Sequence, residues 1–233
     1  MARKIKYTRK DLKSPDEFIS TLSRATLWMK ENRVTVAAAV AVAFLVLGGI
    51  FGTRAYFQWQ ETKASRDLWP LLNQAREYLQ TPADADTEKL VQLEQSLAAQ
   101  VKKHPGTRAA VFAKYYLGSI AYRRKDYDRS AAEFRSAMAN GKEKRTVMDF
   151  LLREGLAQAL EAKGDTEGAE KAYAEAASFA NGELRTQAWM GQARLLALQG
   201  RKDEAAAIFR KILEENPDTL FKDLIEIKLS HLG

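Results

Sequence analysis

Three stretches of this chain carry one pattern of small and aromatic residues, and no other feature narrows its fold as far. Gly118 is followed by Ser130, Phe134 and Ala137 at offsets of 12, 16 and 19 residues. Ala157 is followed by Ala169, Tyr173 and Ala176 at the same offsets, and Ala193 by Ala205, Phe209 and Ile212. The turn positions agree too: Lys125-Asp126, Gly164-Asp165 and Gly200-Arg201 each fall seven and eight residues after the first small residue. The pattern describes a helix hairpin. Small residues let two helices approach, the aromatic fills the space between hairpins, and glycine ends the first helix in a left-handed cap.

This pattern resembles the tetratricopeptide repeat, a helical hairpin of about 34 residues. Leu117-Gly118, Leu156-Ala157, Trp189 and Pro217 occupy positions which that family favours. Departures are the start-to-start separations of 39 and 36 residues, Gln192 in a leucine position and Ser130 in place of alanine. Composition agrees, since Ala, Leu, Glu, Lys, Arg and Gln dominate and prolines number only five. An all-α fold follows, with the three repeats over residues 107–217.

Upstream, Trp69 and Leu72 are spaced as in the first helix of a repeat, and Leu90, Leu93, Leu97 and Val101 suit a second. The loop Gln80 to Thr87 is long for the motif, so residues 54–106 are expected to form a juxtamembrane helix and a divergent first hairpin. After Pro217, Leu220, Phe221, Leu224, Ile225 and Leu229 mark an amphipathic helix in 218–233 that caps the last repeat's apolar face.

The word juxtamembrane rests on Val34 to Thr53, VTVAAAVAVAFLVLGGIFGT, twenty residues without a charge. A helix of that length covers about 30 Å, the hydrocarbon thickness of a bilayer. Trp28 precedes the run, and Tyr56, Phe57 and Trp59 follow it, as interfacial aromatics do. A secretory signal has a shorter apolar core and lead, and Thr62-Lys63-Ala64 makes a poor cleavage site. A single transmembrane helix over 34–53 is therefore expected. Lys and Arg counts adjacent to the run tie at three each side (Arg24, Lys30, Arg33 against Arg54, Lys63, Arg66), and the distal cluster Arg3, Lys4, Lys6, Arg9, Lys10 and Lys13 favours a cytoplasmic N-terminus. Gly48 and Gly52 form a Gly-x-x-x-Gly pair that permits close helix packing in lipid, although glycine is also simply common in spans.

Residues 1–33 hold nine Lys/Arg and four Asp/Glu, a net of +5 out of the chain's +7. The basic excess thus belongs to a tail rather than to a face of the folded domain, and nucleic acid is not an expected partner. Within this tail Ser14-Pro15-Asp16-Glu17 reads as a capping box ahead of Phe18, Leu22, Ala25 and Met29. That helix suits the inner leaflet or a cytoplasmic partner.

No catalytic constellation emerges. His104 and His231 lie near helix ends without histidine or cysteine partners, and the chain has no cysteine. Surface or capping roles are expected for both, with no metal and no cofactor. Asp126, Glu133, Glu154 and Glu161 are read as acids of ordinary solvated helices. Helical repeats work through the concave surface formed by each hairpin's first helix. The template places Phe112, Tyr115, Tyr122 and Arg123 there from the first repeat, Glu154, Gln158 and Glu161 from the second, and Met190 and Arg194 from the third. Phe112 and Tyr115 are equally suited to packing against the preceding hairpin.

The order of parts resembles the ancillary subunit family of the bacterial SecYEG translocon: a short tail, one anchor, an aromatic-rich juxtamembrane helix, degenerate repeats and a closing helix. Leu224-Ile225-Glu226-Ile227-Lys228-Leu229-Ser230-His231-Leu232 is the most family-like stretch, and the basic tail is longer than the family needs. The resemblance implies a non-enzymatic inner-membrane protein whose periplasmic repeats meet translocon subunits, periplasmic chaperones or exported clients. A structural scaffold of another envelope assembly or secretion complex is the alternative, and a homo-oligomer is compatible with the sequence.

Overall fold

The computed structural model describes residues 17–80, 87–139 and 146–232, all of them helical or in short connections, with no strand among them. The chain divides into two compact units, residues 1–58 and 59–233.

In the first unit, α1 (Glu17–Glu31) is followed after Asn32 by the start of α2 (Arg33–Gln80). The proposed capping residues Ser14 to Asp16 lie outside the described residues. Leu27, Trp28 and Met29 of α1 are exposed. The helix α2 holds one stretch long and apolar enough to cross a membrane, and none of that stretch is buried. Its last hydroxyl is satisfied internally, since Thr53 Oγ1 donates to the Gly49 and Ile50 carbonyls at 2.8 and 3.0 Å.

The second unit contains the remainder of α2 and eight more helices: α3 (Thr87–Lys103), α4 (Arg108–Arg123), α5 (Tyr127–Ala139), α6 (Val147–Lys163), α7 (Thr166–Phe179), α8 (Gly182–Leu198), α9 (Lys202–Glu215) and α10 (Lys222–Leu232). From α3 on, each packs on its neighbour in sequence, as expected of a stack of hairpins. The pairs α4/α5, α6/α7 and α8/α9 are the three hairpins read from the sequence.

Their turns follow from local chemistry. Gly164 and Gly200 take left-handed φ values of 91° and 79°. Lys125 holds the same position in the first hairpin at φ 63°, where a side chain is crowded. Asp126 and Asp165 then accept from the backbone N–H groups of Arg129 and Gly168, at 3.2 and 3.0 Å, starting α5 and α7. A reciprocal Thr146–Asp149 capping box starts α6.

The template residues are the core. Gly118, Ser130, Phe134, Ala137, Ala157, Ala169, Tyr173, Ala176, Ala193, Ala205, Phe209 and Ile212 are all buried. Ser130 fits in place of alanine because its hydroxyl donates to the Gly118 carbonyl at 2.9 Å. Upstream, Ala64, Leu68, Leu72 and Ala75 of α2 share one cluster with Leu90, Leu93 and Leu97 of α3 and with Ala109, Ala113, Leu117 and Ile120 of α4. Trp69, which with Leu72 has the spacing of a repeat's first helix, is 61 % exposed. The core face of α2 is set by Ala64, Leu68, Leu72 and Ala75, which recur at helical spacing, and Trp69 falls outside it.

Of the surface and capping roles expected for His104, the surface one fails: the residue is buried just past the end of α3, its N–H donating to the Gln100 carbonyl at 3.0 Å and its ring Nε2 3.4 Å from Asp67, which also accepts from Lys103 Nζ at 2.7 Å. These donors, Lys103 foremost, hold the Asp67 carboxyl below its usual range against the opposing effect of burial. In α10, Ile225 is fully buried on α8 and α9 while Leu224 remains exposed, as does Leu220 in the preceding turn. The turn before α10 is tied by Glu183, which accepts from the Thr219 hydroxyl at 2.8 Å, the Asn216 amide at 3.1 Å and the Leu220 N–H at 3.2 Å.

Candidate protein-binding groove

A cavity of about 320 Å³ opens between the first helices of the first two repeats. Tyr115, Ser119, Tyr122 and Arg123 of α4 form one wall, and Leu151, Glu154, Gly155 and Gln158 of α6 form the other. Phe134 of α5 and Leu79 of α2 complete the lining. On α4 the four residues share a helical face because they recur at spacings of three and four. The same spacing aligns Leu151, Glu154, Gly155 and Gln158 on α6.

The base is aromatic. The Tyr115 and Phe134 ring centroids lie 6.0 Å apart, and Tyr115 meets Tyr116 edge-on at 5.4 Å. Tyr122 leans on Tyr127 at 5.6 Å. Phe134 can sit between α4 and α6 only because both helices present glycine to it. A Cβ on Gly118 would lie 3.0 Å from its ring, and one on Gly155 only 2.6 Å. One repeat on, Tyr173 uses Gly191 in the same way, at 2.5 Å.

The charged residues differ in how they are satisfied. The Arg123 guanidinium donates to the Tyr78 carbonyl and lies over the Tyr78 ring at 4.5 Å. Glu161 is ion-paired with Arg194, whose Nη2 is 2.7 Å from Oε2, and accepts from the Tyr173 hydroxyl at 2.9 Å. Arg194 therefore holds the Glu161 carboxyl below its ordinary range, although burial opposes it. Burial together with the Glu161 charge and hydrogen bond raises the Tyr173 hydroxyl. Glu154 is another case. It is only 7 % exposed, and Oε1 accepts from the neutral Gln187 side chain at 2.6 Å. Burial pushes this carboxyl above the ordinary range, and the Gln187 hydrogen bond only partly opposes that.

Five of the residues expected on the concave surface thus line one cavity: Tyr115, Tyr122, Arg123, Glu154 and Gln158. Glu161 and Arg194 pair with each other across α6 and α8 instead of lining it. Phe112 is exposed on α4 and is not among the lining residues, and Met190 is half-buried in the α8–α10 core cluster. Sequence reading treated Glu154 as a solvated acid, and the structure corrects this: it is buried at the cavity wall. The contributions of Ser119, Leu151, Gly155, Leu79 and Gln187 were not anticipated. The one available signal was glycine inside otherwise strong helix-forming runs, at Gly155 and Gly191. Gly48 and Gly52, in the first unit, have nothing within 4 Å of a would-be Cβ. No group of three or more His, Cys, Asp or Glu side chains able to hold a metal occurs among the described residues.

No curated protein matches the chain. A family model described as tetratricopeptide repeat-like domain matches residues 27–233. Domains of this kind bind proteins and are typically non-catalytic. With three small-and-aromatic hairpins stacked in order and a groove on their first helices, the chain belongs to the tetratricopeptide repeat-like domain family.

Proposed function

We propose that this protein is a membrane-anchored protein-binding module of the bacterial inner membrane. Its N-terminus is cytoplasmic, its repeats are periplasmic, and it assists export or chaperone hand-over beside the Sec translocon. The observation carrying the binding role is the groove between α4 and α6, where aromatic rings and one buried acid face a cavity in an interaction fold. Membrane anchoring is supported by the uncharged stretch in α2, none of whose apolar window is buried. Orientation is supported by the basic cluster from Arg3 to Lys13. The translocon as neighbour is supported by the order of parts, from tail and anchor to degenerate repeats and a closing helix.

Photo-crosslinkers placed at Gln158 in the groove and at exposed Trp69 test this in native membranes. Adducts with exported clients or periplasmic chaperones from Gln158, and with translocon subunits from Trp69, are expected. Recovery of only other envelope-assembly proteins would reject the export role, and no adduct from Gln158 would reject the groove. A periplasm-active reporter fused after Gly233 should be active; silence would reverse the topology.

A further inference from the structure

Glu154 is an expensive residue where it stands. A carboxylate that is more than nine-tenths buried normally has a cationic partner, because water no longer stabilises its charge. Among the described residues no Lys or Arg hydrogen-bonds or ion-pairs with Glu154, and its recorded partner is the neutral Gln187 amide. The neighbouring acid shows the contrast, since Glu161, about two helical turns further along α6, has both Arg194 and Tyr173. Arg123, a basic residue of the cavity lining, is directed onto Tyr78. The cavity therefore offers a buried acid, and around it the rings of Tyr115, Tyr122 and Phe134.

We infer that this cavity receives a lysine or arginine side chain of a bound polypeptide, whose cationic head meets Glu154 and whose stem lies along Tyr115, Tyr122 and Phe134. This rests on the groove being the protein-binding surface. Both halves of the site suit the ligand. Aromatic faces attract cations, more strongly once water is excluded, and the methylene stem of a basic residue covers apolar surface. A carboxylate supplies the charge-assisted hydrogen bond at the inner end. A volume of about 320 Å³ is at the lower limit of small-molecule sites, which suits one or two side chains better than a whole cofactor. An acidic or purely apolar side chain would leave Glu154 buried and unpaired, so the site also discriminates.

The test uses the full-length protein in detergent micelles and fluorescein-labelled short peptides of leucine and serine. Their central residue is arginine, lysine, norleucine or glutamate, and binding is read by anisotropy. The arginine and lysine peptides should bind about ten-fold tighter than the norleucine peptide, and the glutamate peptide weakest. Glu154→Gln should abolish the preference for the basic peptides, bringing them level with the norleucine peptide. Tyr122→Leu, at a half-exposed site, should reduce the same preference by a few fold. Equal binding of the norleucine peptide to the parent protein, or full retention of the preference in either variant, overturns the inference while the groove stands. Failure of every peptide to bind overturns the groove reading as well.

Discussion

The Phe134 ring occupies the space that a Cβ on Gly155 would take, with Cζ only 2.6 Å from that position. Two successive repeats are joined by this contact, because Phe134 belongs to the first hairpin and Gly155 to the second.

Gly155→Ala should therefore destabilise the repeat unit by about 1–3 kcal/mol through overpacking, despite the better helix propensity of alanine. Urea unfolding followed by circular dichroism measures it. Combining it with Phe134→Leu should recover part of the loss, giving a non-additive cycle. Additivity would show that the two residues do not meet.

Glu154→Gln should stabilise the protein at neutral pH by about 1 kcal/mol, the reverse of most buried substitutions. The sign follows from the raised carboxyl. The native state is favoured while Glu154 is protonated, and loses that advantage as pH rises through the raised native value. The difference between variant and parent should accordingly shrink to nothing below the ordinary carboxylate range. Denaturant midpoints across pH 3–8 provide the measurement.

Glu161 titrates in the opposite sense. Its carboxyl is depressed, first by Arg194, so its contribution is complete above the ordinary value and is lost as pH falls through the native one. Arg194→Ala should cost about 0.5–1 kcal/mol at neutral pH, a modest figure because the Arg194 side chain is half-exposed. The same variant should flatten the acid limb of stability, and a parent-like acid limb would count against this pairing.

Lys125 stands at φ 63°, in the position where the other two hairpins have Gly164 and Gly200. Lys125→Gly should raise stability by about 0.5 kcal/mol, since relief of left-handed crowding exceeds the extra entropy of the unfolded chain. Gly164→Ala should cost about 1 kcal/mol for the same steric reason. Thermal melts of both variants decide whether the three turns are equivalent.

The repeat fold was legible because its code is local and periodic. Offsets of 12, 16 and 19 residues fixed which positions are small and which aromatic, and all twelve of those positions are buried. The turns were equally plain at Gly164 and Gly200. The depth of Trp69 and His104 was not legible, because face and depth depend on what packs opposite: the α2 core face excludes Trp69, and Asp67 lies beside the buried His104 ring.

The candidate groove was half legible. Projection onto the first helices found Tyr115, Tyr122, Arg123, Glu154 and Gln158, since helical spacing alone sets their common side. It could not tell that Arg123 turns to Tyr78, that Glu161 is neutralised by Arg194, or that Glu154 takes its hydrogen bond from the Gln187 amide. The sequence by itself determined an all-helical chain, its three hairpins, and one stretch apolar enough for a membrane, because periodicity and composition are properties of neighbouring residues. The tertiary structure alone decided which acid is paired and which is left waiting at the cavity wall. Charge satisfaction is a contact between residues roughly thirty positions apart, and no local pattern encodes it.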